Sequence, residues 1–225
     1  MIRRVLMPLA FGAIGIGILL GLGFWQLVRL EQKQAYLAQI EAALAAAPVA
    51  LPAQPDPVAD KFRAVIVTGQ FTGKALEVLV SRKEVGAGER VVEVFVTDTG
   101  QRILVDRGFV ADAARLADHA TDVAEVTGNL HWPVEVDSFT PAPDAKTGLW
   151  FARDVPAMAA VLQTDPVMLV ARSNTGGGVD PMPVDTAGIP NDHMQYAITW
   201  FSLSVVWAGM TGLYLWRNRR AQVKV

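Results

Sequence analysis

The chain has 225 residues, of which 52% are hydrophobic, and a formal net charge of −2. It contains no cysteine, which excludes disulfide exchange, thiolate metal sites, iron–sulfur clusters and covalent c-type haem attachment. Its histidines are His119, His131 and His193, and so small a number argues against enzyme classes that depend on a histidine cluster.

Two long uncharged stretches lie near the ends of the chain, at residues 5–28 and 197–216. A helix needs about 20 apolar residues to cross a bilayer, so each stretch is long enough. Arg3 and Arg4 would also suit a signal peptide, but an h-region has only roughly 7–15 residues and no small-residue cleavage site follows here. We therefore expect two transmembrane helices, the first of them an uncleaved anchor.

Charge predicts the orientation of these helices. Basic residues precede the first stretch and follow the second, and the positive-inside rule then places both ends in the cytoplasm. The section between the stretches carries all 22 acidic residues but only 14 of the 20 Lys and Arg, a net charge of −8 (14 minus 22). We expect this section to face the periplasm. Its acidity argues against nucleic-acid binding, which requires a basic surface.

The pattern predicts six successive regions. We expect a first transmembrane helix at residues 1–30, a second at 193–216 and a basic cytoplasmic tail at 217–225. Ala, Gln, Glu and Leu continue the first helix, and four prolines from Pro48 to Pro57 end it, so residues 31–60 read as a helical extension and a Pro-rich linker. A periplasmic β-rich domain follows at 61–172, and a flexible linker at 173–192 leads back to the membrane.

Within residues 61–172, β-branched and alternating segments predict strands, bounded by turns such as Asp98-Thr-Gly. The predicted strands are 63–71, 76–81, 90–97, 102–110, 123–130 and 167–171. One helix is predicted, at 155–163, with Pro156 in its first turn. The predicted fold class is therefore membrane α plus soluble mainly-β (α+β), with two transmembrane helices flanking an antiparallel sheet or small β-barrel.

The outer ends of the two membrane helices carry the candidate site. Because one helix runs outward and the other inward, Trp25 and Gln26 should lie at about the same depth as the start of the second helix. There, His193, Tyr196 and Trp200 share one helical face by their i, i+3, i+7 spacing. Two interpretations remain open from the residues alone: ordinary interfacial anchoring, for which Tyr and Trp are typical, or ligation of a haem iron by the imidazole.

Two other polar motifs invite a functional interpretation. Asp106-Arg107 lies within a predicted strand, where a structural ion pair is the more common role. His131-Trp132 could belong to a site, although a single histidine beside a tryptophan is more often packing. We find no arrangement typical of a catalytic triad or of paired carboxylates.

Motifs along nearly the whole chain resemble the Surfeit locus protein 1 family, whose members are assembly factors of cytochrome c oxidase. The first motif, Gly-Phe-Trp-Gln-Leu at 23–27, ends the first apolar stretch, and the last, Asn-Asp-His-Met-Gln-Tyr at 191–196, precedes the second. Between them lie Val-Thr-Gly-Gln-Phe at 67–71, Leu-Val-Asp-Arg-Gly-Phe-Val at 104–110, and Trp150 with Asp154. The chain departs from the family pattern at Asp106, Phe109 and Asp192, which leaves the partner of Asp106 in doubt.

The resemblance implies a role in building haem-copper oxidases, which belong to the respiratory chain, at the cell inner (plasma) membrane. It implies that haem a is transiently bound, with His193 as the axial ligand of the iron and Tyr196, Trp200, Trp25 and Gln26 around it. It implies partners in haem A synthase, which makes the haem, and cytochrome c oxidase subunit I, which receives it. A chaperone of this kind is not an enzyme, and this is what we expect here.

Two other functions stay open at this stage. The chain could be a structural adaptor that stabilises an oxidase intermediate through its β domain and binds no haem. It could instead be a haem-modifying or hydrolytic enzyme, which the absence of a recognisable catalytic motif does not favour.

Overall fold

The computed structural model of the chain describes residues 2–82, 85–111, 119 and 121–223. The chain divides into two compact units, one made of Met1–Gln39 with Ala187–Val225 and the other of Ile40–Thr186. The first unit is helical and the second is built around a sheet, which confirms the predicted fold class.

The helical unit pairs α1 (Ile2–Ala45) with α3 (His193–Val223), and both are long and apolar enough to span a membrane. They run antiparallel, because contacts that move up α1 from Gly15 to Gly23 move down α3 from Trp207 to Phe201. The glycines permit close packing: a Cβ added at Gly23 would lie 2.6 Å from a ring carbon of Phe201. α1 ends at Ala45, before the prolines that the sequence analysis identified as its limit.

Among the residues that the structure describes, the sheet unit contains seven strands and the helix α2 (Val155–Leu162). The strands are β1 (Val49–Ala50), β2 (Ala64–Arg82), β3 (Gly86–Thr97), β4 (Arg102–Ala111), β5 (Glu125–Leu130), β6 (Leu149–Trp150) and β7 (Met168–Ala171). β2, β3, β4, β7 and β5 pair in this order and β5 pairs back to β2, so these five strands close into a small barrel. β1 and β6 add to β2.

The sheet is mixed, because β7 pairs parallel with β4 and antiparallel with β5. The two strands predicted at 63–71 and 76–81 are one strand, β2, whose register shifts between Phe71 and Ala75. A bulge of this kind bends a strand without ending it. β1, which pairs in parallel with Val65 and Ile66, lies within the segment expected to be linker.

β4 is buried on both faces, which explains its nearly continuous apolar sequence. Ile103 and Val105 pack in one core cluster, with Phe95 and Leu169. Leu104 faces a second cluster, which α2 covers. Asp154 caps α2 by accepting a hydrogen bond from the Ala157 backbone N–H, as the predicted helix start requires.

The segment that follows β7 differs from the predicted flexible linker at 173–192 in its first part. Thr175 and Val179 are buried, and the Asp180 backbone pairs with that of Phe109 in β4. The buried side chain of Val179 and the backbone pairing of Asp180 with Phe109 therefore hold this part of the segment against the barrel. Its glycine-rich sequence did not indicate this order.

Candidate functional site

The imidazole of His193 is hydrogen-bonded to the side chain of Gln26. His193 opens α3, Gln26 lies on the buried face of α1, and Nδ1 is 2.8 Å from Oε1 of the amide. Gln26 is only 8% exposed, whereas His193 is half-buried. As the antiparallel arrangement leads one to expect, the two residues lie at the same level of the helix pair.

This contact selects one tautomer of the neutral ring. An amide oxygen can only accept a hydrogen bond, so Nδ1 carries the proton and donates it. Nε2 of the neutral ring then keeps its lone pair, which is the form of imidazole that binds a metal. The chemistry of the pair therefore suits a single axial ligand to a haem iron.

The three aromatic residues of the predicted site are less closely associated. Tyr196 is 53% exposed on the turn after His193, and Trp200 is half-buried one turn further along α3. Trp25 is 50% exposed, and its ring lies 5.6 Å from the guanidinium of Arg29. The structure thus brings His193 and Gln26 together, and leaves Tyr196 and Trp25 with open ring surface.

Asp106 and Arg107 do not pair with each other, because neighbouring residues of a strand face opposite sides of the sheet. Asp106 is fully buried and accepts hydrogen bonds from Arg90 and from Arg153, the latter at 2.9 Å. Arg153 also binds Glu135. These four residues form what we call the Asp106 cluster, and they resolve the doubt about the partner of Asp106.

Arg107 is also fully buried, and its guanidinium is saturated with hydrogen bonds. Nη1 donates to Glu93 at 2.5 Å and to the His119 carbonyl at 2.7 Å. Nε donates to the Thr175 hydroxyl, and Nη2 donates to the backbone carbonyls of residues 175 and 176. The Phe71 ring lies 4.8 Å from the guanidinium carbon. Arg107 therefore joins two strands, the bulge and two loops, which is a structural role.

Glu93 was not predicted from the sequence as a functional residue, yet its carboxylate also accepts a hydrogen bond of 2.8 Å from the Gly73 backbone in the bulge. A glutamate among valines in β3 reads as the solvent face of an alternating strand, yet Glu93 is only 4% exposed. Arg153 was also missed, because it lies in the irregular segment before α2, where an arginine is expected to face solvent. Asp106 and Arg107 interrupt the otherwise largely apolar strand β4, and this was the one indication in the sequence that residues of opposite charge are buried beside them.

His131 packs rather than forming part of a polar site. Its ring stacks on Phe62 with centroids 5.4 Å apart. Burial, aided by the positive charges of Arg153 and Lys61, lowers the pKa of His131 from 6.5 to about 4. Burial opposes ionisation of Glu135 as well, but hydrogen bonds and charge from Arg153 outweigh it and hold the pKa of Glu135 below its ordinary value.

Within the part of the chain that the structure describes, no three His, Cys, Asp or Glu side chains come together as a metal site. Fold and site together define a class: a membrane protein with two candidate spans, a small barrel formed by the residues between them in the sequence, and a hydrogen-bonded histidine at the start of the second span.

Comparison with known proteins identifies the family within that class. The model of the SURF1 family matches residues 13–205. The chain is 32% identical to a SURF1-like protein of Monosiga brevicollis, over 84% of this chain and 80% of the relative. It is 31% identical to Surfeit locus protein 1 of Rattus norvegicus, over 87% of this chain and 70% of the relative. It is 30% identical to a SURF1-like protein of Rickettsia felis, over 84% of this chain and 88% of the relative. The chain belongs to the SURF1 family.

Proposed function

We propose that this protein is an assembly factor of haem-copper oxidases that binds haem a through His193 and helps to deliver it to oxidase subunit I. Proteins of the SURF1 family are generally cytochrome oxidase assembly factors, which supports the first part. The second part is supported chiefly by the Nδ1–Oε1 hydrogen bond of 2.8 Å between His193 and Gln26, because it prepares Nε2 for the iron.

The surroundings of His193 suit a haem with a long apolar tail. Both helices expose apolar side chains along their length, and His193 lies at the start of α3, where a lipid interface would be expected. A haem bound there could keep its tail among lipid chains while its iron reaches the imidazole. A single protein ligand also leaves the bound haem exchangeable, which a carrier without catalytic turnover needs.

The same proposal includes the location and partners. Basic residues such as Arg3 and Arg217 at the two ends favour a cytoplasmic position for both termini, and hence a periplasmic barrel at the cell inner membrane. The haem would come from haem A synthase in the same membrane.

The decisive experiment is the visible absorption spectrum of the detergent-purified protein after co-expression with a haem A synthase. We expect a stoichiometric haem a band in the wild type, no band in His193→Ala, and an unchanged band in the matched control His131→Asn. A band of equal intensity in His193→Ala would refute ligation by this residue. If all three proteins are folded and none of them shows the haem a band, haem binding is refuted.

A second candidate function is a structural adaptor that binds no haem, and one feature of the barrel unit favours it. The loop after β5 exposes two large apolar side chains, Val134 at 91% and Phe139 at 90%. Exposed apolar residues that stand close in sequence often mark a protein-binding surface. If the protein is such an adaptor, Phe139→Ser should impair oxidase assembly and His193→Ala should not. A haem carrier should show the opposite result, with assembly impaired by His193→Ala and not by Phe139→Ser.

A further inference from the structure

We propose that Gln26 is a positioning residue that sets the iron–His193 bond at an intermediate strength, strong enough to hold haem and weak enough for haem to be passed on. This inference rests on the proposed function, since it concerns the ligand that function requires. Its basis is the chemical nature of the group that accepts the Nδ1 proton, which is a neutral amide.

The acceptor at Nδ1 controls the electron density at Nε2. A carboxylate in this position pulls the proton strongly, makes the ring more like an imidazolate and strengthens the bond to the metal. An amide oxygen orients the ring and selects the same tautomer, but it polarises the ring much less. Gln26 therefore supplies orientation without the added ligand strength that would retain the cargo.

The structure holds this amide firmly in place. Gln26 is 8% exposed, in a helix pair whose approach is set one turn away by Gly23 against Phe201. Ala197, one turn after His193 on α3, is 1% exposed and completes the contact face. Water has little access to replace the amide oxygen, so a substitution at position 26 should act directly on the imidazole.

Arg29, the first charged residue after Gln26 along α1, is engaged elsewhere. The Arg29 guanidinium donates to the side chain of Gln32 at 3.0 Å and lies against the Trp25 ring. Arg29 therefore does not compete for the Gln26 oxygen.

The test uses the full-length protein in detergent, loaded with haem a, and compares Gln26→Leu, Gln26→Glu and the wild type. The control is Gln195→Leu, which removes an exposed glutamine two residues after His193. Two quantities are measured at pH 8: the rate at which haem passes to excess apomyoglobin, and the midpoint potential of the iron.

For Gln26→Leu we expect release about 10- to 100-fold faster, the range typical for loss of such a supporting hydrogen bond, and a higher midpoint potential. For Gln26→Glu we expect release at least about 10-fold slower and a lower midpoint potential. Gln195→Leu should match the wild type in both quantities.

The inference is overturned if release and potential in Gln26→Leu equal those of the wild type, or if Gln26→Glu releases haem no more slowly. Circular dichroism of each variant shows whether it is folded. Failure of the proposed function gives a different result: a wild-type protein without haem, or a His193→Ala variant that still carries it.

Discussion

Replacing Glu93 by glutamine removes the charge that neutralises Arg107 while keeping an oxygen for the Gly73 backbone. Glu93 is 4% exposed and Arg107 is 0% exposed, so water cannot replace the lost charge. With an effective dielectric constant near 20, opposite charges 2.5 Å apart attract by roughly 7 kcal/mol. Glutamine costs less to bury than a carboxylate, which offsets part of this attraction. We expect a net loss of about 3–5 kcal/mol in the free energy of unfolding, as for other broken buried pairs.

The assay is urea denaturation in mild detergent, followed by tryptophan fluorescence. Trp150 is buried in the core cluster beside α2 and should report on the barrel, while tryptophans in micelle-embedded helices contribute a constant background. The control is Asp180→Asn, which breaks an exposed pair with Arg82 and should cost at most about 1 kcal/mol. If Glu93→Gln shifts the midpoint no more than this control, the argument from burial is wrong.

Three further predictions follow from packing and protonation. Because the pKa of His131 is about 4 in the folded protein and 6.5 ordinarily, the unfolded chain binds the extra proton first as the pH falls. Stability should therefore decrease from about pH 6.5 to pH 4, by about 2 kcal/mol after allowing for partial exposure, and His131→Asn should flatten this part of the pH profile of urea midpoints. In the helix pair, Gly23→Leu should collide with Phe201 and lower the cross-linking yield of engineered cysteine pairs, whereas Gly21→Leu, with open space at its Cβ, should not. In β4, Gly108→Ala should cost about 2–4 kcal/mol by urea denaturation, since its φ is +118° and the added Cβ would lie 2.0 Å from a backbone oxygen. An alanine variant as stable as the wild type would show that the backbone there relaxes at little cost.

The two ends of the chain were predictable because their features are local. The length of the two uncharged stretches predicted α1 and α3. The antiparallel topology predicted that Gln26 and His193 lie at the same level of the helix pair. The sequence could not show that these two side chains meet, because that depends on the rotation of each helix about its axis. The small residues that fix this rotation, such as Gly23, are common throughout the apolar stretches.

The barrel was only partly predictable, because its pairings join distant segments. Strand composition located β3, β4 and β5 to within a few residues. The parallel pairing of Leu104 with Met168 joins residues far apart in the chain, and no local pattern encodes it. The bulge between Phe71 and Ala75 joins two predicted strands into one, β2, and the Gly73–Glu93 hydrogen bond holds it. Because this bond comes from a distant strand, the local sequence alone predicts a break there.

The closed ring of strands has a consequence for biogenesis. β7 is the last strand in the chain and the one that joins β4 to β5, so the ring cannot close before residue 171 has been synthesised. Until then the facing edges of β4 and β5 are unpaired and open to wrong pairing with other chains. His193 follows shortly afterwards, so the domain completes its fold at about the time the second apolar helix emerges. A chain truncated before Met168 should therefore aggregate rather than yield a smaller working domain.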